Sequence, residues 1–151
     1  MGEKYILTMD KETALMVDRA CEFYSRMIMG QFMEAADQVF DAWPEKFKSE
    51  HFCDMRNRAE SYLVSAKIAL FPELHPGAYY GVGRSRRSDT TWNVHQVIRY
   101  AIAWHDHPDG GNSVDFGKPM HFSDAPMPEF VIQLDMLHST GEKMTTEEII
   151  K

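Results

Sequence analysis

The sequence predicts a single-domain, mainly α-helical (α+β) fold with three principal helices and a small antiparallel β element. The length of 151 residues suits one domain. Long segments carry apolar residues at helical spacing, and short apolar runs near the two ends have the composition of strands. We expect the globular domain to span residues 1–137 and residues 138–151 to form a polar C-terminal tail.

The N-terminal third is predicted to be a short strand followed by a long amphipathic helix. Residues 4–9, KYILTM, have strand composition, and Asp10 is a suitable N-cap residue. Apolar residues then recur at helical spacing over about 11–43, where Gly30 either admits a close neighbour or divides the segment into two helices. The apolar face is wider than one neighbour can cover, so we expect a homo-oligomer.

A second amphipathic helix is predicted over about 55–71, with Asp54 as its N-cap. This pattern places Lys67 among the polar residues on the solvent-exposed face of the helix. The predicted buried stripe consists of Met55, Ala59, Tyr62, Leu63, Ala66, Ala69 and Leu70. This stripe follows helical periodicity, which predicts packing against the rest of the domain.

The third helix is predicted over about 90–105, with either Ser88 or Asp89 as its N-cap. Prolines restrict the chain beyond it to turns and short extended pieces. One of these pieces, EFVIQL at 129–134, has strand composition and is predicted to pair with residues 4–9 in the small antiparallel element.

Charge and composition exclude several classes of function. The formal net charge is −7 and the pI is about 5.4, whereas proteins that bind nucleic acid non-specifically normally present a basic surface. No run approaches the roughly 18 apolar residues of a membrane-spanning helix, and the N-terminus lacks a signal-peptide pattern. We expect a cytoplasmic protein with free cysteines and with no membrane and no long nucleic acid among its partners.

The glycine- and arginine-rich segment 72–89 is the first candidate ligand site. Glycines at positions 77, 81 and 83 let backbone N–H groups approach a ligand. Arginines offer planar donors suited to phosphate, the following helix N-terminus adds a favourable dipole, and tyrosines can stack on a base. The candidate residues are Tyr79, Tyr80, Gly81, Arg84, Arg86 and Arg87. Alternatively, these arginines belong to a solvated loop and face acidic neighbours.

The third helix extends this candidate site. His95 and Arg99 lie one turn apart, and with Asn93 and Gln96 they form a polar face that meets either the loop or water. A second polar cluster has metal-ligand residue types but matches no known zinc signature. It consists of His105, His107, Asp109 and His121. Since no nucleophile motif is recognisable, we predict no catalytic residues, no metal and no cofactor.

Five segments of the chain occur in a characteristic order: FYSRMIMGQF, FPEL, PGAYYGVG, WNVHQVIRYAIAW and VDFGKPMHFSDAPMPEF. In this order they resemble a family of small uncharacterised bacteriophage and prophage proteins over most of the chain. The resemblance implies a phage accessory protein in the bacterial cytosol, with motif residues Tyr80, Gly81, Gln96, Arg99 and His121. It does not extend to RSRR at 84–87, which leaves the roles of two of these arginines open.

The leading functional hypothesis is a phage anti-defence protein that binds and sequesters a small anionic, nucleotide-type ligand. The ligand would be an immune signalling nucleotide such as a cyclic nucleotide, an idea that rests on analogy with other phage proteins. Arg84 and Arg99 would pair with phosphates, Tyr80 would stack on the base, and His95 would hydrogen-bond. The alternatives are a small metal-dependent hydrolase built on the histidine cluster and a protein-protein inhibitor of a host defence protein.

Overall fold

The computed structural model describes residues 4–48 and 51–133, in which four α-helices are followed by a short 3-10 turn. The elements are α1 (Lys11–Ile28), α2 (Met33–Ala42), α3 (Phe52–Leu70), α4 (Arg86–Asp106) and the turn Val114–Phe116. The mainly α-helical prediction is confirmed, with four helices instead of three. No helix in this part of the chain is long and apolar enough to cross a membrane. The predicted tail over 138–151 lies outside the described residues.

The predicted antiparallel β element is wrong. Neither residues 4–9 nor residues 129–133 form a strand, and the described parts of the chain contain no sheet. Met9 and Phe130 instead pack against the apolar cluster between α1 and α4, so side chains hold both segments. The neighbouring Ile6 is 95% exposed, and a two-stranded ladder with exposed apolar residues is marginal in water. The last residue of the predicted second strand lies outside the described residues.

The long helix predicted over 11–43 is divided in two at Gly30. Asp10 begins α1 as predicted, because its carboxylate accepts a hydrogen bond from the Thr13 N–H at 2.7 Å. Gly30 has a φ of +85°, a left-handed conformation that favours glycine. A Cβ at this position would meet its nearest neighbour, a Phe71 ring atom, at an ordinary 3.7 Å. The left-handed turn therefore requires a glycine at position 30, whereas the packing of neighbouring side chains would tolerate a larger residue there.

Helices α1 and α4 pack antiparallel and form the hydrophobic core. The buried centre consists of Ala14, Ile98 and Ile102, against which Met9, Leu15, Val17, Val94, Val97 and Phe130 pack. Polar contacts between the two helices recur every seven residues along α1. They are Lys11–Asp106 at 2.7 Å, Asp18–His95 at 2.9 Å and Ser25–Ser88 at 2.8 Å. Seven residues are close to two helical turns, so the contacts share one face of α1 and set the register.

Helix α4 begins at Arg86, four residues earlier than predicted, with Ser85 as its N-cap residue. The predicted caps Ser88 and Asp89 lie inside the first turn and are buried. Ser88 O accepts a hydrogen bond from the Ser25 hydroxyl of α1, and Asp89 Oδ1 accepts one from Gly83 N–H at 2.8 Å. These two residues therefore hold tertiary contacts, which explains why the capping prediction was wrong.

Helix α3 also begins earlier than predicted, at Phe52, with His51 as the N-cap residue and Asp54 inside the first turn. Among the described helices, α3 packs only against α2. Much of its predicted buried stripe is consequently exposed, including Tyr62 and Leu70. The prediction of a continuous buried stripe on this helix is therefore wrong among the described residues.

Candidate functional site

The loop between α3 and α4 is fixed by contacts to both neighbouring parts of the chain. The buried Lys67 ammonium of α3 donates to Pro76 O at 2.7 Å and also to Ala78 O. Tyr80 N–H donates to Met29 O, just beyond the end of α1, at 2.8 Å. The loop is therefore held against two helix ends, and the prediction that Lys67 lies on the wet face of α3 is wrong.

A cavity of about 350 Å³ opens where this loop meets the end of α1 and the start of α4. Its lining residues are Ile28, Met29, Phe71, Tyr80, Arg84, Ser85 and Ser88. The first three are apolar or aromatic, whereas Arg84 and the serines supply polar groups. The structure thus brings two predicted site residues, Tyr80 and Arg84, to one cavity beside the predicted helix N-terminus.

Tyr80 is oriented by two neighbours in the loop. Its ring packs edge-on against Phe71 at a centroid distance of 5.9 Å, and its hydroxyl donates to Glu73 Oε1 at 2.5 Å. The hydrogen bond raises the pKa of Tyr80 and lowers the pKa of Glu73, while the nearby Arg84 charge lowers the Tyr80 pKa in part. Tyr80 therefore keeps its proton at neutral pH, and its hydroxyl is already hydrogen-bonded to Glu73.

Arg84 is the charged group of the cavity. Its side chain is exposed, and no hydrogen bond or ion pair joins its guanidinium to any described residue. Arg86, by contrast, pairs with Asp124 at 3.1 Å on the surface. Arg87 is exposed and does not line the cavity. Within this part of the chain, the Arg84 guanidinium is therefore available for bidentate hydrogen bonds to a phosphate or carboxylate.

The start of α4 adds backbone donors to the cavity. The Ser85 side chain makes no capping hydrogen bond, so it satisfies none of the first-turn N–H groups, which also lack partners within the helix. Their partial positive charge favours an anion. Asp89 offsets part of this charge with a buried carboxylate, which also fixes Gly83 at a φ of +85°. The net attraction for an anion therefore depends mainly on Arg84.

Gln96 lies away from the cavity and has a structural partner. Its side-chain amide donates to Met120 O at 3.2 Å and accepts from Met120 N–H at 2.9 Å. One turn before it, Asn93 donates to Pro126 O at 3.1 Å and to the neighbouring Ala125 O. Both amides are buried. They hold the segment after the 3-10 turn against α4.

The other predicted site residues are also dispersed. His95 is buried and pairs with Asp18, and Arg99 donates to Val114 O. His121, Tyr79 and Gly81 are exposed. None of these residues lines the cavity, so the polar face predicted on the third helix does not join the loop there.

Sequence reasoning missed three apolar walls of the cavity, Ile28, Met29 and Phe71. They come from two segments far apart in the chain, and each has the composition of an ordinary core residue. The glycine that follows Met29 was the available signal, because a left-handed turn there ends α1 and brings its last residues to the loop.

The residues of the hydrolase hypothesis do not form a metal site in the described parts of the chain. No group of three histidine, cysteine, aspartate or glutamate side chains there is arranged to hold a metal ion. His105 Nδ1 lies 3.3 Å from Asp106, and the His107 ring packs near Phe116. The four residues that the hydrolase alternative groups by residue type are therefore not assembled into a metal site in this part of the chain.

Comparisons with protein-family models, with curated proteins and with solved structures found no match to this chain. The resemblance to bacteriophage and prophage proteins accordingly stays a prediction.

Proposed function

We propose that the protein binds a small anionic, nucleotide-type ligand in the cavity between the loop and the start of α4. The observation that carries the proposal is Arg84, a guanidinium that has no partner among the described residues and lies beside a cavity with apolar and aromatic walls. In the cell this binding would sequester the ligand, in keeping with a phage accessory protein that acts in the bacterial cytosol.

The two kinds of wall suit the two parts of a nucleotide. A phosphate can take charge-assisted hydrogen bonds from Arg84 and the backbone N–H groups at the start of α4. A base or sugar can pack against Met29, Phe71 and the Tyr80 ring. The volume of about 350 Å³ is near the lower end of the range for ligand pockets, about 300–1,000 Å³. It favours a mononucleotide, linear or cyclic, over a larger oligonucleotide.

The lining favours retention of the ligand over its conversion. The described cavity walls include no histidine, cysteine or carboxylate that could act as a base or nucleophile. The Ser88 hydroxyl is buried and donates to Ser85 O, so it has no partner that would remove its proton. These features support a binding protein, and no comparable geometry supports the hydrolase alternative.

Calorimetric titration with AMP, cyclic AMP and other linear and cyclic mononucleotides tests the proposal. Arg84→Ala should weaken binding by about 10- to 100-fold, as expected for the loss of a charged hydrogen bond. Arg87→Ala is the matched control, since it removes the same charge near the cavity from a residue that does not line it. Equal affinities of Arg84→Ala and the wild type would place the site elsewhere.

Native mass spectrometry after incubation with bacterial lysate identifies the natural ligand. A retained, unmodified nucleotide would support sequestration, and a chemically altered one would indicate turnover. If no mononucleotide in the panel binds and none is retained, the nucleotide proposal fails. A host protein recovered with the chain would then favour the inhibitor hypothesis.

A further inference from the structure

Helix α3 carries an apolar seam with the spacing of a coiled coil, exposed at every position except the half-buried Ala59. The α3 seam consists of Met55, Ala59, Tyr62, Ala66 and Ala69, whose separations alternate between four and three residues. This is the heptad spacing by which one helix packs along another. Within the described chain, α3 contacts no helix other than α2.

The α3 seam borders an open apolar groove of about 300 Å³ between α2 and α3. The groove is lined by Ala35, Ala36, Val39, Phe40, Ala59, Tyr62 and Leu63. Tyr62 is 69% exposed and Val39 is 51% exposed, so both sides of the groove present apolar surface to solvent. Apolar side chains at heptad spacing beside such a groove match the shape of another helix.

We propose that this seam is a homodimer interface, in which α3 of a second copy packs antiparallel along it. An antiparallel alignment exists in which Met55 faces Ala66 of the second copy and Ala59 faces Tyr62 of the second copy. The twofold symmetry repeats both pairs, so four successive layers each combine one large and one small side chain. A self-complementary surface of this kind is what an isologous dimer requires.

A parallel alignment in register would pair each seam residue with its own copy. Tyr62 would then meet Tyr62, which overpacks that layer, and Ala59 would meet Ala59, which leaves a void. The seam therefore distinguishes the two directions by side-chain volume.

The helix dipoles favour the same direction, because antiparallel helices align them head to tail. The charges of α3 do not oppose it. Asp54, Arg56, Arg58 and Glu60 balance one another in the N-terminal half, where Arg56 pairs with Glu60 at 2.8 Å and with Asp37 at 2.9 Å. The only charged residue between Leu63 and Leu70 is Lys67, which is buried against the loop. The 19 residues of α3 give a contact about 28 Å long, to which exposed Val39 adds apolar area.

Sedimentation equilibrium of the full chain at micromolar concentrations tests the interface. We expect a dimer for the wild type and a monomer for Tyr62→Glu, because the carboxylate would be buried without a partner. Ala66→Glu, also on the seam, should act in the same way. Asn57→Glu is the matched control on the opposite side of α3, and it should leave the dimer intact. Circular dichroism confirms that each variant is folded.

A volume swap tests the alignment. Met55→Ala and Ala66→Met should each weaken the dimer, and the double variant should restore it, because every layer again combines a large with a small side chain. A monomeric wild type would overturn the interface, and so would dissociation by Asn57→Glu but not by the seam variants. Failure of the double variant to restore association would overturn the alignment. Nucleotide titration of the same samples reports separately on the cavity.

Discussion

The α1–α4 pair and the α2–α3 hairpin differ in how far their apolar side chains are buried. Between α1 and α4, apolar residues are buried and polar groups such as Asp18 and His95 are paired within the chain. In the hairpin, by contrast, Val39 and Tyr62 remain exposed, and among the four described helices α3 contacts α2 alone. The apolar face between the first pair is covered, whereas the second pair presents apolar side chains that the described residues leave exposed.

The largest effect is expected from breaking the central polar contact of the α1–α4 pair. Asp18→Ala leaves the nearly buried His95 without its partner at 2.9 Å, and should lower the free energy of unfolding by about 3 kcal/mol. Urea denaturation measures this change. Asp109→Ala, the same truncation at an exposed site, is the control. A loss no larger than that of the control would show that the pair contributes no register or stability.

A smaller and local effect is expected in the hairpin. Phe40 contacts Phe47 and Phe52 with ring centroids 4.8 and 5.1 Å apart, and these contacts join α2 to the start of α3. Phe40→Ala should lower local stability by about 2 kcal/mol, less than for a fully buried ring, and should leave the α1–α4 pair intact.

Limited trypsin digestion measures this local loss through faster cleavage in the N-terminal half of α3, after Arg56 and Arg58. Tyr79→Ala, which removes an exposed aromatic ring outside the hairpin, should leave the cleavage rate unchanged. If Phe40→Ala instead lowered the stability of both helix pairs equally, the contrast between them would not hold.

The smallest effect concerns the N-cap of α1 and depends on pH. The hydrogen bond from Thr13 N–H lowers the pKa of Asp10 below its ordinary 3.8. The stabilisation is therefore complete above the unfolded-state pKa and is lost as pH falls through the lower folded-state value.

Denaturation at several pH values separates the wild type from Asp10→Ala. The difference in stability between them should be larger at pH 7 than in strong acid, where the protonated carboxyl keeps only a neutral capping oxygen. Asp10→Asn keeps a capping oxygen without a titrating charge, so its capping should not change over this range. A difference between the wild type and Asp10→Ala that stays constant with pH would contradict the assignment of the cap.

Periodicity was sufficient to predict the helical class, and capping chemistry was sufficient to predict Asp10 at the start of α1. Other residues with capping side chains make tertiary contacts instead. The Ser88 backbone carbonyl accepts a hydrogen bond from α1, and the Asp89 carboxylate accepts one from Gly83 in the loop. The strand composition of residues 4–9 was equally ambiguous, because a strand needs a partner and Met9 packs on helices instead.

The candidate site was predictable only where its residues are close in sequence. Tyr80 and Arg84 share one loop, and its glycines and arginines pointed to them before the fold was known. Met29 reaches the cavity at the end of α1 and Phe71 at the end of α3, and the Gly30 signal alone could not place these two helix ends beside the loop. Gln96 was wrongly predicted for the opposite reason. It is polar and lies near the loop in sequence, yet its side chain is hydrogen-bonded to the Met120 backbone away from the cavity.

The two hydrogen bonds between the Gln96 side chain and the Met120 backbone have a measurable consequence for a segment without regular structure. The Met120 N–H lies outside every helix, yet it is held 2.9 Å from the oxygen of Gln96, a side chain only 2% exposed. Such a proton exchanges with deuterium only when the segment detaches from α4. Met120 should therefore carry a slowly exchanging amide within a coil, and its rate reports how often an irregular segment leaves the helix that anchors it.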